Sequence, residues 1–215
     1  MSFTVNEKER LIKASHGYMP SRHNYLPEDF PAFSQLFKNQ ALDLEVEVGC
    51  GMGTFLKERM KMCPDINYLG FEMGHRRAKL CKRIAEENGF NNVEILNVDA
   101  RIVIEKCIPS SSVSIFHVYF PDPWPKQRHW RRRLLDGDFL TEAYRCLKKG
   151  GLLEIATDHE AYFQFIKQNN HKAGLIWAHE LESVNQKIFC PHIQTDFEKM
   201  WIQENRTLFY MEFMK

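Results

Sequence analysis

The stretch at residues 42–53 constrains the fold of this chain more than any other. Up to Val48, aliphatic and acidic residues alternate with a period of two, which predicts a β-strand. Three glycines then stand at alternate positions: Gly49, Gly51 and Gly53. Residues 54–62 are helix-forming and contain no proline. The glycines are therefore predicted to form a tight turn that joins a strand to a helix.

The glycine turn can serve a ligand as well as the fold. Backbone without Cβ atoms lets a phosphate, a ribose or a carboxylate approach closely. A plain strand-to-helix turn, in contrast, uses glycine for its geometry alone. Because three alternating glycines exceed what one tight turn needs, the pattern favours a nucleoside-cofactor site.

The rest of the pattern indicates one α/β domain preceded by an arm. From residue 42 onward, short apolar runs alternate with helical stretches, which is typical of a mostly parallel sheet with helices on both faces. Residues 1–40 instead mix charges, aromatic residues and prolines with weak periodicity. We predict an irregular or partly helical N-terminal arm at residues 1–40 and a folded domain at residues 41–215.

Composition predicts a cytoplasmic protein without a membrane span or a metal centre. No run approaches the roughly 18 apolar residues that cross a membrane, and residues 1–10 are charged, unlike a secretory signal. The cysteines stand singly without a Cys-x-x-Cys pair, which favours neither zinc nor disulfides. We expect them to be small buried hydrophobic residues: Cys50, Cys63, Cys81, Cys107, Cys146 and Cys190.

A basic run stands out against an otherwise acidic chain. Five positive charges and no acid fall within eight residues: Lys126, Arg128, Arg131, Arg132 and Arg133. The whole chain has a net charge of +1, so without these five it would carry −4. Such a patch suits contact with a polyanion, and it also suits a solvated start of a helix. Charge alone does not separate these alternatives.

Acidic residues follow the next two predicted strands. Residues 67–71 form a strand that ends at Glu72, about twenty residues beyond the glycines, where an acid can accept hydrogen bonds from both hydroxyls of a ribose. Residues 93–98 form a third strand, followed by Asp99. Asp99 can cap a helix or accept a hydrogen bond from an adenine amino group. A surface acid at the end of a strand is the alternative for Glu72.

The fourth strand, residues 113–119, leads into the sequence Phe-Pro-Asp-Pro-Trp-Pro-Lys. Pro121 and Pro123 restrict the backbone on both sides of Asp122, so its carboxylate is held on a stiff loop. We expect Asp122 to face the same cleft as Gly51, because the carboxyl ends of parallel strands frame the ligand site. A proline-rich turn with a capping acid is the alternative. His117, in the middle of the strand, is interpreted as a core histidine rather than a catalyst.

The later part of the chain completes the predicted domain. Helices are predicted at residues 76–88, 137–147 and 160–168, strands at residues 152–156 and 207–214, and a polar cluster between residues 193 and 206. Gly150 and Gly151 are predicted to end the helix before the fifth strand. That strand delivers Thr157 and Asp158 to the ligand edge of the sheet. The last strand suits either a sheet edge or an inserted antiparallel position.

Two cofactors suit glycines followed by an acid: NAD and S-adenosylmethionine. The dinucleotide pattern is Gly-x-Gly-x-x-Gly, whereas the third glycine here comes one residue early and Thr54 stands at the dinucleotide position. The acidic set around the turn would repel a pyrophosphate but suits a sulfonium cofactor that also carries an ammonium group. This set comprises Glu47, Glu72, Asp99 and Asp122. S-adenosylmethionine is therefore favoured.

These motifs, in this order, resemble the bacterial tRNA (guanine-N7-)-methyltransferases. The matching stretches are residues 44–53, 70–72, 99–100, 120–126, 128–129, 131–133, 157–158 and 195–198. The Phe-Pro-Asp-Pro-Trp-x-Lys sequence is their most specific part. Two positions depart from the family pattern, since Asp196 and Met200 stand where the family often has basic residues.

The resemblance implies a Rossmann-like class I S-adenosylmethionine-dependent fold and methyl transfer to N7 of a guanine in the variable loop of tRNA. It implies that Asp122 is the active-site acid. Together with the glycine turn, the implied cofactor contacts are Glu47, Gly49, Gly51, Gly53, Glu72, Asp99, Ala100 and Asp122. With the basic run, the expected RNA contacts are Lys126, Arg131, Arg132, Arg133, Asp158, Thr195, Asp196, Phe197 and Glu198. A methyltransferase acting on a small molecule or another RNA is the alternative, and we expect a monomer or homodimer.

Overall fold

The computed structural model describes residues 31–215. Residues 1–30 of the predicted arm lie outside the described residues, and a short 3-10 helix spans Phe33–Gln35. The strands are β1 (Asp43–Val48), β2 (Ile66–Phe71), β3 (Val93–Leu96), β4 (Val113–Tyr119), β5 (Leu147–Thr157), β6 (His179–Val184) and β7 (Phe209–Met214). The α-helices are α1 (Thr54–Met62), α2 (His75–Glu87), α3 (Ala100–Lys106), α4 (Gly137–Cys146), α5 (Glu160–Ala173) and α6 (Asp196–Gln203). A second 3-10 helix spans Gln127–Arg132.

All seven strands form one sheet in the order β3-β2-β1-β4-β5-β7-β6. The first five strands pair in parallel, while β7 is antiparallel to both β5 and β6. The fold class predicted from the alternation of apolar runs and helical stretches is therefore confirmed. Strand β7 occupies the inserted antiparallel position, one of the two that its pattern allowed.

Helices cover both faces of this sheet. On one face, α3, α4 and α5 share an apolar core with Val46, Phe116 and Leu153. On the other face, α1 and α6 pack with Tyr119 and its neighbours, and α1 and α2 pack over the outer strands. Because successive side chains of a strand point to opposite faces, the central strands are buried on both sides.

Two of the three acidic side chains of β1 are buried, whereas Asp43 at its start is exposed. Glu45 is 1% exposed and Glu47 4% exposed. Glu45 contacts Arg59 of α1 at 2.6 Å and His117 of β4 at 3.1 Å. Burial alone would raise the pKa of Glu45, but the hydrogen bonds from Arg59 and His117 outweigh it and lower that pKa to about 2.

His117 is the centre of a buried polar network, as its interpretation as a core histidine predicted. Its Nδ1 lies 2.8 Å from Glu154 of β5, and its Nε2 contacts Glu45. The hydroxyl of Tyr119 donates to the same Glu154 oxygen at 2.6 Å. Burial disfavours the charged imidazole, but Glu154 and Glu45 outweigh it and raise the pKa of His117 to about 9. The imidazole is therefore positively charged at neutral pH.

The start of β5 differs from its prediction, and two elements, β6 and α6, were not predicted. Strand β5 begins at Leu147, so Gly150 and Gly151 lie within it and do not end a helix. Strand β6 was not predicted, because its sequence His-Glu-Leu-Glu-Ser-Val is mostly exposed and has little apolar patterning. Helix α6 lies inside what was described only as a polar cluster. Its sequence signal was present, since Thr195 and Glu198 form a capping box.

The cysteines follow their prediction in part. All six are free thiols, and Cys50, Cys81 and Cys146 are buried, whereas the other three are partly exposed. Within residues 31–215, none of the helices has the length and apolar character that a membrane span requires.

Candidate functional site

A cavity of about 280 Å³ opens at the carboxyl ends of the parallel strands, where α/β sheets bind their ligands. Its walls come from the segments that follow β1, β2, β3 and β4 and from the start of α6. The predicted site residues that line it are Glu47, Gly49, Gly51, Glu72, Asp99, Ala100, Asp122, Arg132, Thr195, Asp196 and Phe197. The predicted residues outside its lining are Gly53, Lys126, Arg131, Arg133, Asp158 and Glu198.

The three glycines of the turn have different roles. All three have positive φ angles, a conformation that L side chains rarely adopt. A Cβ on Gly53 would lie 2.5 Å from Cys81 Sγ, so this glycine is required for packing against α2. No such clash surrounds Gly49 or Gly51, and both line the cavity. Gly49 and Gly51 thus leave open backbone at the cavity, and Gly53 packs the start of α1 against α2.

Glu47 carries a buried carboxylate oxygen without a hydrogen-bond partner. Within the described part of the chain, its Oε2 contacts no donor, although the residue lines the cavity. Burial raises the pKa of Glu47 to about 8; His117 opposes this shift, and the carboxylates of Glu72 and Asp196 add to it. A cationic ligand group in the cavity would supply the missing partner.

Glu72 is held by the backbone around it. It accepts hydrogen bonds from the Gly51 N–H at 3.0 Å, the Gly74 N–H at 2.6 Å and Arg77 Nη2 at 2.6 Å. The carboxylate therefore joins the glycine turn to the start of α2. Asp99 caps α3, with Oδ1 accepting from the Arg101 N–H at 3.0 Å. Both acids line the cavity, and their contacts to ribose and adenine stay predictions.

The loop after β4 brings Asp122 to the lining of the cavity. Phe120 and Trp124, on either side of it, have φ angles of +52° and +42°. A non-glycine residue in this region costs on the order of 1–3 kcal/mol, so the surroundings must hold the loop in place. Trp124 lines the cavity, and the Arg132 guanidinium lies 5.0 Å from its ring centroid.

Arg133 does not face solvent, so its prediction as an RNA contact was wrong. Its side chain is 1% exposed. The guanidinium lies 4.6 Å, 5.0 Å and 4.6 Å from the ring centroids of Trp130, Tyr162 and Phe165, and its Nε donates to the Pro123 carbonyl at 2.8 Å. Two of these rings belong to α5, about thirty residues further along the chain. Arg131 remains exposed.

Glu198 also faces inward, against its prediction as an RNA contact. It is 2% exposed, and it accepts hydrogen bonds from Lys187 Nζ at 2.7 Å and the Tyr210 hydroxyl at 2.8 Å. Thr195 caps α6 by accepting from the Glu198 N–H at 3.0 Å. Both carboxylate oxygens of Glu198 are thus engaged in holding α6 in place.

The remaining predicted RNA contacts divide between the cavity and the surface. Asp196 lines the cavity and accepts a hydrogen bond from the Thr54 hydroxyl at 2.6 Å, which ties α6 to α1. Phe197 packs on Phe120, with 6.4 Å between ring centroids. Asp158 pairs with Arg206 at 2.8 Å outside the lining. The exposed Lys126 precedes the second 3-10 helix.

The cavity lining also contains residues that were not predicted as site residues, among them Thr54, Tyr119 and Arg101. Thr54 follows the third glycine directly, so its position in the motif was a usable signal. Tyr119 ends β4 and connects the cavity wall to the His117 network. Arg101 donates to the backbone carbonyls of residues 133 and 134 and pairs with Asp136. No local pattern indicates these partners, because they lie more than thirty residues away.

The chain has a Rossmann-like class I methyltransferase fold. Three features define it: the strand order with an inserted antiparallel β7, the glycine turn after β1, and the acids after β2 and β3. The chain is similar to a solved S-adenosylmethionine-dependent methyltransferase from Aquifex aeolicus, with a TM-score of 0.55, 16% identity and 99% of each chain covered. The chain belongs to the family described as "Putative methyltransferase", whose model matches residues 42–211.

Relatives of this family support the resemblance drawn from the motifs. The tRNA (guanine-N(7)-)-methyltransferase of Salmonella paratyphi A is 38% identical, over 74% of this chain and 67% of that protein. The tRNA (guanine-N(7)-)-methyltransferase of Psychromonas ingrahamii is 39% identical, over 60% of this chain and 53% of that protein. In the latter alignment, the chain spans about half the length of its relative.

Proposed function

We propose that this protein transfers a methyl group from S-adenosylmethionine to N7 of a guanine in tRNA. The observation that carries the proposal is a cavity whose lining brings together the open backbone of Gly49 and Gly51, Asp122, and Glu47, whose buried Oε2 has no hydrogen-bond partner among the described residues. The names of the relatives supply the substrate class. We take residues 41–215 to be the methyltransferase domain.

The cofactor assignment is supported by the donor and acceptor groups of the cavity. S-adenosylmethionine, when bound, supplies a methyl group on a positively charged sulfur. The buried Oε2 of Glu47 suits a cationic group of this molecule, because a buried carboxylate without a partner is costly. Glu72 and Asp99 offer acceptors for ribose hydroxyls and an adenine amino group. The backbone at Gly49 and Gly51 allows close approach.

Asp122 is assigned to the acceptor base. Guanine N7 has an in-plane lone pair and no proton, so its attack needs alignment and exclusion of water rather than a general base. The purine becomes positively charged as the methyl group arrives. The carboxylate of Asp122 stabilises this charge, and a carboxylate also accepts hydrogen bonds from N1 and N2 of guanine. Trp124 offers an aromatic face for a base taken out of its stack.

The basic surface beside the cavity is assigned to the RNA backbone. Lys126, Arg128 and Arg131 are exposed around the second 3-10 helix, and Arg132 extends this positive charge to the cavity wall. Phosphate contacts position an RNA without reading its sequence. We further propose that the protein acts in the cytoplasm as a monomer or homodimer.

The test is a methyl-transfer assay with labelled cofactor and tRNA, followed by chain cleavage at N7-methylguanine to map the label. Asp122→Asn should lower the single-turnover rate about 100-fold at saturating cofactor. Asp65→Asn is the matched control, because it makes the same change at an exposed position before β2. Label that enters no RNA, with cofactor still bound, would contradict the proposal and favour a small-molecule acceptor.

A further inference from the structure

Arg133 is a buried arginine beside the Asp122 loop. Its Nε donates to the carbonyl of Pro123, the residue between Asp122 and Trp124. Within the described residues, both of its terminal nitrogens are buried without a hydrogen-bond partner. The faces of three aromatic rings surround the guanidinium and take the place of water. Such a cation is costly to bury, which argues for a specific role.

The loop that Arg133 contacts is held in a conformation that it does not favour. Phe120 and Trp124 both have left-handed backbone angles, and neither is glycine. Residues of this kind persist only where the surrounding structure imposes them. The Arg133 hydrogen bond is directed at the backbone between these two positions, next to Asp122.

Arg133 is itself fixed from the cofactor side of the cavity. Arg101, two residues after Asp99, donates to the Arg133 carbonyl at 2.6 Å and also pairs with Asp136 at 3.0 Å. A continuous set of contacts therefore runs from the start of α3 through Arg101 and Arg133 to the loop. The neighbouring Arg132 stacks on Trp124 within the same loop.

We infer that Arg133 is a positioning residue, whose caged guanidinium holds residues 120–125 in the conformation that presents Asp122 to the cavity. This inference rests on the proposed function for the role of Asp122 in catalysis, but not for the conformation of the loop. Lysine cannot replace Arg133 in this role. A guanidinium is planar, so it can stack on aromatic rings while one of its N–H groups donates to a carbonyl, and an ammonium group cannot do both.

Hydrogen exchange tests the loop directly. Three hydrogen-bonded amides lie in the loop and the 3-10 helix that follows it, within residues 120–133: Phe120 to Ala156 O, His129 to Lys126 O, and Arg133 to Trp130 O. In Arg133→Lys, these amides should exchange about tenfold faster, while those of β1 and β2 stay unchanged. Arg83→Lys, an exposed change on α2, is the matched control. Unchanged exchange in a folded Arg133→Lys protein would overturn the inference.

A double-mutant cycle tests whether Arg133 acts through Asp122. Arg133→Lys alone should lower the single-turnover rate about 10- to 100-fold, without changing cofactor affinity or the salt dependence of tRNA binding. In an Asp122→Asn background, the same change should have little further effect. Rate losses that simply multiply would overturn the role through Asp122.

A second variant and a readout that does not depend on catalysis keep the inference testable in two cases. If Arg133→Lys does not fold, Phe165→Leu removes one ring of the cage and should accelerate exchange of the same three amides. If no tRNA is methylated by the wild type, the proposed function fails, while the exchange experiment still decides whether Arg133 holds the loop.

Discussion

Binding of S-adenosylmethionine should release a proton from Glu47. In the free protein, burial raises the pKa of this carboxyl to about 8, with added repulsion from Glu72 and Asp196. At pH 7, about 0.9 of the molecules therefore hold the proton, and at pH 6 nearly all of them do. A cationic cofactor favours the ionised carboxylate, so the proton leaves on binding. Affinity should then rise about tenfold between pH 6 and pH 7.

His117 does not obscure this titration. It faces Glu47 across the β1–β4 pair, and its pKa of about 9 keeps it charged throughout pH 6–7. Folding stability changes in the opposite sense to affinity. Because the pKa of Glu47 is raised in the folded state, stability falls as pH rises from about 4.5 to 8. Glu47→Gln should therefore stabilise the free protein at pH 7 by roughly 3 kcal/mol.

The assay is calorimetric titration at pH 7 in buffers of different ionisation enthalpy. The slope of observed enthalpy against buffer enthalpy counts the protons, and it should show release of about 0.9 proton from the wild type. Glu47→Gln should bind the cofactor more weakly, with little proton release and a flat pH dependence. Equal proton release from both proteins would refute the assignment of this titration to Glu47.

Three other variants test the remaining assignments. Glu72→Ala should weaken cofactor binding by roughly 1.5–3 kcal/mol, and unchanged affinity of a folded variant in calorimetry would contradict its ligand role. Arg131→Ala should lower the log-log salt slope of tRNA binding by about 0.7–0.9; parallel lines across a salt series would mean that it touches no phosphate. His117→Gln should destabilise the fold at pH 6 by roughly 3–5 kcal/mol, because Glu45 and Glu154 lose the charged imidazole that lies between them. Because the pKa of His117 is raised in the folded state, the stabilisation by the charged imidazole is complete below pH 6.5 and is lost as pH rises through 9. Equal free energies of unfolding in urea for the variant and the wild type at pH 6 would contradict this role of His117.

Local sequence predicted the regular elements well where the hydrophobic periodicity agreed with the positions of glycines and prolines at the ends of the elements. Helix α1 and strand β4 begin and end at the predicted residues, because glycines and prolines mark their ends. Strand β6 could not be predicted in this way. Its stability comes from pairing with β7, and an exposed edge strand needs no apolar face.

Site residues at the ends of strands could be predicted from the sequence. Residues that are buried by side chains far away in the sequence could not. Glu47, Glu72 and Asp122 follow predicted strands or lie in them, so topology alone brings them to one cavity. Arg133 was assigned to RNA as part of the basic run, and Glu198 was assigned to RNA by the family resemblance. Two of the three rings around Arg133 belong to α5, and the lysine that pairs with Glu198 also lies outside its helix. A local sequence pattern does not indicate such contacts.

The position of β7 has a consequence for synthesis of the chain on the ribosome. Strand β5 is complete at Thr157, but its neighbour β7 begins only at Phe209. While residues 158–208 are being translated, that side of β5 has unpaired N–H and C=O groups, which can pair with another chain. Strand β6 pairs only with β7 in the described sheet, so it also has no strand partner until β7 has been synthesised. The rate of translation across residues 158–208, and chaperones that shield an open strand edge, therefore help to determine how many newly made chains reach the folded state.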